Sequence, residues 1–524
     1  MNSDQIPAKT GGFLRRRRAA LLAGVLGVAV TGFAVGQILP QAFTPAIAQI
    51  STDRSATQMS FADVVERVSP SVVSVRVKLE QPTTSFGRDG FERFGRENIP
   101  PQMEEFFKRF FGDRDGPNFR QGPGQGQGPG QGPRTPRRAQ GQGSGFFISA
   151  DGFVVTNNHV VDKSAEVEIT TNDGKTYAAK VVGTDPRTDI ALLKVEGRSD
   201  FPWVKFGANS PRVGDWVLAV GNPFGLGGTV TAGIVSARGR DIGANVYDDF
   251  LQIDAAVNRG NSGGPTFNLA GEVIGVNTAI VSPSGGNVGI AFAIPAENVN
   301  RIVNELRETG TVTRGYVGVQ IQPITKEIAD SIGMKEAQGA LVSEVQPNTP
   351  AAKAGIQAGD AILSVDGERL KDARDLSRRV AAKSPGAKVK LLITRDGKQQ
   401  TIDVELAKLP DQVQAAAPAR PDEKKDEGGV AQPQLGLTLA PANSVAGAGS
   451  EGVVITEVQP NGPAAERGMQ NGDVILEIGG KKVSSPAEVR DAVSAARKEN
   501  KSNVLVRMKR ENNSRFITLP VSKG

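Results

Sequence analysis

Gly260-Asn261-Ser262-Gly263-Gly264-Pro265 is the segment of this chain best suited to covalent chemistry. A serine nucleophile needs a tight turn that exposes its Oγ and aims backbone N–H groups at one point. Glycines on both sides permit unusual dihedrals and let a substrate come close. Gly260, Asn261 and Ser262 are then the expected oxyanion-hole turn, with the amides of Gly260 and Ser262 as donors. The hydroxyl also needs a base, and the chain has a single His among 524 residues. That residue, His159, stands in Thr156-Asn157-Asn158-His159-Val160-Val161, where a strand pattern ends. Imidazole is the usual group that takes the serine proton and returns it to the leaving amine. A carboxylate should fix its tautomer. Asp189 precedes the apolar run Ile190-Ala191-Leu192-Leu193 and, if buried there, must be hydrogen-bonded. Asp185 competes for the role, although Pro186 after it reads better as part of a turn.

Composition narrows the alternatives. The absence of Cys excludes thiolate nucleophiles, disulfides, iron–sulfur clusters and thiolate zinc sites, and one His excludes any multi-histidine metal site. No metal and no cofactor are expected. The net charge of +6 invites a nucleic-acid reading until it is located. Residues 1–48 hold +4 of it and residues 81–143 hold +3, which leaves the rest close to neutral. No nucleic-acid partner is therefore expected.

The first 48 residues read as an address. Arg15-Arg16-Arg17-Arg18 precedes an uncharged run whose first 21 residues are rich in Ala, Val, Leu and Gly, about the ~20 that span a bilayer. Ala46-Ile47-Ala48 has the form of a cleavage site. A cleaved signal peptide is expected and a retained anchor is the alternative. Either places the remaining chain outside the cytoplasm, with membrane contact only through this segment if it is uncleaved.

Composition also marks the boundaries. Residues 116–145 contain 10 Gly, 5 Pro and 6 Gln, too little apolar surface to offset ordering entropy, so a mobile loop insertion over 81–143 is expected. Four Phe within residues 103–111, just before the Gly/Pro/Gln-rich stretch, fall on one side of a short helix, either a satellite of the core or a sticky element that docks on a neighbour. Residues 409–433 carry almost no large apolar side chain and read as a linker. Residues 60–310 form the first domain. Asp151-Gly152 and Asn172-Asp173-Gly174 separate short apolar or alternating runs, as do Asp396-Gly397 and the neighbourhood of Asn512-Asn513. That pattern indicates antiparallel β structure. A helix over residues 295–308, with Pro at its start and Gly310 after its end, closes the first domain.

The last third is a repeat. From Val345 to Ile362, 12 of 18 positions match the segment 113 residues later, including Pro350-Ala351-Ala352 with Pro463-Ala464-Ala465 and Gly359-Asp360 with Gly472-Asp473. The two copies, residues 312–408 and 434–522, resemble PDZ domains of the bacterial protease type, each a β-sandwich with helices. That resemblance implies binding of C-terminal peptides as an added strand. It also makes Tyr316, Val317, Gly318 and Val319 the carboxylate loop of the first copy, with Leu435-Gly436-Leu437 in the matching place of the second.

The chain order His159, Asp189, Ser262 is the chymotrypsin-like one. With the Thr-Asp-Ile-Ala-Leu-Leu-Lys segment (residues 188–194), Gly221-Asn222-Pro223-Phe224-Gly225, Asn277-Thr278-Ala279-Ile280 and the two repeats, the sequence resembles the Do/HtrA family of exported serine proteases. The resemblance selects Asp189 over Asp185. It implies a mostly β fold, a chymotrypsin-like double β-barrel followed by two PDZ domains. It implies homo-trimers or higher oligomers, and the leading reading is a periplasmic endopeptidase that degrades unfolded or damaged proteins. The chain has no nucleotide-binding loop, so no ATP is expected to be used. A chaperone or peptide-binding scaffold in which proteolysis is minor is the rival reading, and the two activities can coexist. The resemblance also makes residues 286–293 the edge that pairs with substrate, with Gly286, Asn287, Val288, Gly289 and Ile290 as binding residues. Their small and aliphatic character predicts a pocket for small aliphatic side chains.

Overall fold

The computed structural model describes residues 60–79 and 140–521, apart from positions 226, 244, 282–285, 411–428 and 512. The export segment, the Phe cluster of residues 103–111 and most of the 81–143 insertion lie outside the described residues.

Two closed six-stranded barrels make the first domain. Helix α1 (Ala62–Val68) leads to β1 (Val72–Leu79), β2 (Gln140–Phe147), β3 (Phe153–Thr156), the one-turn helix α2 (Asn158–Val161), β4 (Ser164–Thr170), β5 (Thr176–Asp185) and β6 (Ile190–Val195). The period-2 pattern does the sorting. Val73, Val75, Val77 and Phe147 fill one cluster with Ile169 and Leu193 from this barrel. Their neighbours Val72 and Phe146 instead meet Leu218, Phe267 and Val276 of the second barrel.

The second barrel comprises β7 (Trp216–Gly221), β8 (Thr229–Arg240), β9 (Phe250–Ile253), β10 (Pro265–Phe267), β11 (Val273–Ile280) and β12 (Ala291–Pro295). Helix α3 (Ala296–Thr309) follows, ends on Gly310 in the left-handed region, and buries Val299, Ile302, Val303 and Leu306 along one stripe.

Two expectations are corrected here. Strand β2 begins inside the segment read as loop, with Gly143 opposite Val75 and Gly141 opposite Val77. Glycine content suggested a loop, but a Cβ on Gly143 would lie 2.7 Å from a Val160 methyl and 3.0 Å from the Ser262 carbonyl oxygen. Glycine marks close backbone approach within a strand. Residues 291–293 are not an edge either. They belong to β12, which pairs with β11 on one side and β9 on the other.

The first PDZ copy runs through β13 (Gly315–Tyr316), β14 (Val319–Pro323), α4 (Lys326–Ser331), β15 (Ala340–Val345), α5 (Pro350–Lys353), β16 (Ala361–Val365), β17 (Glu368–Arg369), α6 (Ala373–Ala381), β18 (Lys388–Arg395), β19 (Lys398–Glu405) and β20 (Ala407–Lys408). Its sheet order is β14-β15-β16-β18-β19, while β13 pairs with β20. The second copy consists of β21 (Val430–Gln432), β22 (Leu437–Pro441), β23 (Val453–Val458), α7 (Pro463–Glu466), β24 (Val474–Ile478), β25 (Lys481–Lys482), α8 (Pro486–Lys498), β26 (Asn503–Arg510) and β27 (Asn513–Pro520). Strand β21 falls in the expected linker. It pairs with β22 at the end of the sheet order β21-β22-β23-β24-β26-β27.

Buried contacts join the domains. Arg314, before β13, donates to both carboxylate oxygens of Asp185 at 3.1 and 2.5 Å, with both side chains almost wholly buried. Arg378 of α6 donates to the Asp248 carbonyl at 2.9 Å. The copies themselves touch where the Gln322 amide exchanges hydrogen bonds with the N–H and carbonyl of Phe516 (2.7 and 3.0 Å).

Candidate active site

Helix α2 sets His159 one turn past the end of β3, and Asp189 faces it from the start of β6. Asp189 adopts φ +60°, a strained conformation for a non-glycine residue. Its carbonyl is held there by the N–H of Asn158 (3.1 Å) and the side-chain amide of Asn157 (2.9 Å). The carboxylate then points at His159. One oxygen accepts the His159 backbone N–H (2.9 Å), and the other lies 2.7 Å from Nδ1. An ionised carboxylate only accepts, so the neutral ring carries its proton on Nδ1 and its lone pair on Nε2.

The second barrel contributes to the same carboxylate. Thr278 of β11 donates its hydroxyl to Asp189 Oδ2 at 2.6 Å. The β11–β12 register slips between Asn277 and Ala279, so Thr278 is a bulge residue. Bulges re-aim side chains, and this one turns a strand hydroxyl toward the other barrel.

Beside Thr278, Asn277 holds the serine turn. Its carbonyl accepts the Gly263 N–H (2.8 Å) and its N–H donates to Gly264 (2.9 Å). Gly260 and Gly263 have φ of +96° and +84°. A Cβ on Gly263 would stand 2.3 Å from Thr156 Oγ1 and 3.0 Å from the Asn157 nitrogen, so the turn is pressed against the end of β3 that carries His159. Ser144 clamps it from β2. Its N–H donates to the Ser262 carbonyl (2.8 Å), and its hydroxyl donates to the Gly260 carbonyl (2.6 Å) while accepting from Asn222 N–H (2.8 Å). Among the described residues, the N–H groups of Gly260 and Ser262 have no protein acceptor. Between them, the N–H of Asn261 donates to the Asn258 carbonyl at 3.0 Å and closes the turn.

Residues 286–290 run as an irregular segment beside this turn. Asn287 ties it down, accepting nothing from the serine turn itself but bonding to Asn258 Oδ1 (3.2 Å) and the Val257 carbonyl (3.1 Å). Its side-chain oxygen accepts the Gly289 N–H (2.8 Å), and Val288 is exposed. Asp185 is not part of this constellation. It accepts from Thr188 and is neutralised by Arg314. Among the described residues, no His, Asp and Glu group is arranged to hold a metal.

Comparison with known proteins fits this geometry. Residues 143–276 match the trypsin-like peptidase domain, and residues 315–406 and 433–521 match the PDZ domain. A probable periplasmic serine endoprotease DegP-like of Rhizobium meliloti is 46% identical over 95% of this chain and 99% of its own length. Its namesake from Bartonella henselae is 48% identical over 89% and 90%. The chain belongs to the DegP/HtrA family of serine endoproteases. Among solved structures, the HtrA-type protease AlgW with a tripeptide has a TM-score of 0.53 at 34% identity, covering 67% of this chain and 98% of its own. The same protease with a decapeptide has 0.51 at 35%, covering 67% and 100%. Like its DegP/HtrA relatives, the protein is a serine endopeptidase with a double-barrel domain and two PDZ domains.

Its first PDZ loop is shaped by Gly318, with φ +89°. Val317 is buried and its carbonyl accepts from Ala351 (2.8 Å), while the Gly318 carbonyl accepts from Gln346 (2.9 Å). Tyr316 belongs to β13, its hydroxyl bonded to Gln346, and Val319 begins β14. Sequence reasoning missed Ser144, whose glycine-rich surroundings hid it. Asn277 and Thr278 stood out as a family mark, but their spatial role was invisible.

Proposed function

We propose that Ser262 is the nucleophile, His159 its general base and then general acid, and Asp189 the group that holds the ring tautomer. The observation that carries this reading is a carboxylate bonded from both barrels and aimed at the single imidazole beside the serine turn. Ser262 attacks the peptide carbonyl, and Nε2 takes its proton. Open N–H groups on Gly260 and Ser262 support their assignment as the oxyanion hole, which stabilises the tetrahedral intermediate. The leaving amine receives the proton from the imidazolium, and water releases the acyl-enzyme by the same path.

Unfolded or damaged proteins are the proposed substrates, and the periplasm is the proposed place, in keeping with relatives named as periplasmic endoproteases. No ATP is consumed, so substrates arrive already open. The segment at residues 286–290 accepts small aliphatic side chains, the first PDZ copy takes peptide C-termini, and the chain assembles as a trimer or larger. Ser262→Ala is expected to lower cleavage of a reduced, unfolded protein at least about a thousandfold. Undiminished cleavage sinks the assignment. Suppression of aggregation that survives Ser262→Ala supports a chaperone activity, and its loss removes that part of the proposal. In a peptide library, cleavage follows small aliphatic residues; cleavage confined to Lys or Arg refutes the pocket.

A further inference from the structure

The two PDZ loops are built alike but are approached differently. In the first, Gln346 N–H meets the Gly318 carbonyl at 2.9 Å and Ala351 N–H meets Val317 at 2.8 Å. In the second, Gln459 N–H meets Gly436 at 2.8 Å and Ala464 N–H meets Leu435 at 3.2 Å. Strand β14 leaves the first loop as the terminal strand of its sheet, and the chain arrives there from β13, which pairs elsewhere with β20. Strand β22 leaves the second loop already paired. Val430 lies opposite Leu439, Ala431 opposite Thr438 and Gln432 opposite Leu437.

We propose that the second PDZ copy carries its own ligand, strand β21, in the groove between β22 and α8, so that any incoming peptide must displace it. A PDZ ligand adds antiparallel to this strand with its last residue beside the glycine loop. Strand β21 has that polarity and ends opposite Leu437, the residue after Gly436. Directly paired residues share a face of the sheet. Val430 and Gln432 therefore lie on the face of Leu437 and Leu439, which pack with Val489 and Val493 of α8. Gln432 sits where a ligand's terminal side chain belongs. It is 8% exposed, and its amide donates across the groove to the Pro486 carbonyl in the first turn of α8 (3.3 Å).

The floor of each groove records the difference. Leu437 and Leu439 are 3% and 0% exposed beneath β21. Their counterparts Val319 and Ile321 are only half-buried beside α6. Strand β21 adds nothing to the apolar core of its domain, and Val430 is half exposed, so its loss leaves that core in place. Displacement multiplies the intrinsic affinity of a competing peptide by the small fraction of open grooves, and so weakens its binding.

This inference rests on the reading that PDZ grooves of this chain take peptide strands. The test is hydrogen exchange on the full chain carrying Val430→Pro and Ala431→Pro. Proline has no N–H, and substituting consecutive positions removes the one that faces β22. Exchange at residues 437–441 is expected to rise at least about tenfold, with residues 319–323 and 489–496 unchanged. A synthetic peptide ending in Gly-Val-Ala-Gln with a free carboxylate, at millimolar concentration, then restores protection at 437–441 in the variant and not in the parent. Unchanged exchange at 437–441, or no restoration by peptide, overturns the proposal. If residues 489–496 also lose protection, the domain has unfolded and Gln432→Ala is read instead. Faster exchange at 437–441 supports the proposal there, and none overturns it. A second peptide ending in a free Leu separates the two levels. Protection at 319–323 while the first peptide fails at 437–441 sinks only the self-ligand. Protection at neither site sinks peptide binding by both copies.

Discussion

The two PDZ copies share a frame and differ at its margin. Both close a Gly-Asp turn with the same ion pair between a buried carboxylate and a partly exposed guanidinium. Asp360 receives Nε and Nη2 of Arg395 at 2.6 Å each, and Asp473 receives the same atoms of Arg510 at 2.6 Å each. Each Asp is about as buried as a residue can be, at 1% exposure, and each also accepts an N–H three residues before it. The margins diverge because β14 keeps an open edge and β22 does not. Repetition of sequence has thus preserved the interior and left the binding edge free to change use.

The sharpest way to break the idea of a common frame is to unpair those carboxylates. Asp360→Asn and Asp473→Asn each leave a guanidinium without its partner. Each guanidinium is partly solvated and keeps a backbone carbonyl acceptor, so each substitution should cost its own copy about 1–3 kcal/mol. Exchange of β18 in one case and β26 in the other reads the loss. Clearly unequal costs would mean that the frames differ despite their matching geometry.

An asymmetric effect is expected at the loops. Gly318 and Gly436 both have positive φ, so Ala strains either one by about 1 kcal/mol. At Gly318 the new Cβ would also fall 2.2 Å from Thr349 Cβ, whereas at Gly436 its nearest neighbour is Gln459 Cβ at 3.3 Å. Overpacking adds about 1–3 kcal/mol to the first substitution alone. Gly318→Ala should therefore abolish peptide binding by the first copy, with Thr349→Gly partly restoring it, while Gly436→Ala costs only the backbone strain of about 1 kcal/mol. Equal effects on thermal unfolding would contradict the contact geometry.

The weakest contrast lies at the helix starts. Ser485 and Glu488 form a reciprocal cap on α8. The backbone N–H of Ser484, aided by its hydroxyl and by Ser485 N–H, holds the Glu488 carboxyl below the usual range. A depressed carboxyl contributes stability that is full above its ordinary range and is lost as pH falls through its own lowered range. Protection of α8 should accordingly weaken on acidification toward pH 3. Glu488→Gln should flatten that dependence, and an unchanged slope would place the acid sensitivity elsewhere.

Much of this frame was legible in the sequence because its signals are local. Asp396-Gly397 has φ of 48° and 75° and makes the tight hairpin that its residues suggest. The Gly-Asp repeats were plain, but the arginines that explain them stand 35 and 37 positions later. Asp185 looked like a turn residue because its partner Arg314 is 129 positions away. Composition misled at two places where strands are poor in large apolar residues. At residues 140–143 glycine is needed for the approach of the Ser262 turn, and at β21 the pairing is supplied by β22 rather than by a core. The serine and the imidazole stood out by residue type, whereas Asp189 was separated from Asp185 by the family resemblance. The role of Thr278 was not legible, because only a register slip turns its hydroxyl toward the other barrel.

That hydroxyl has a consequence for the order of events in a newly made chain. The carboxylate that orients the imidazole is contributed by the first barrel and completed by the second. The Ser262 turn likewise leans on Ser144 and Thr156 of the first barrel. On the proposed assignment neither barrel alone holds a finished site, so competence to cut peptide bonds would arise only when the two dock. A protease that emerges in extended form among its own unfolded siblings is thereby harmless to them until it has folded.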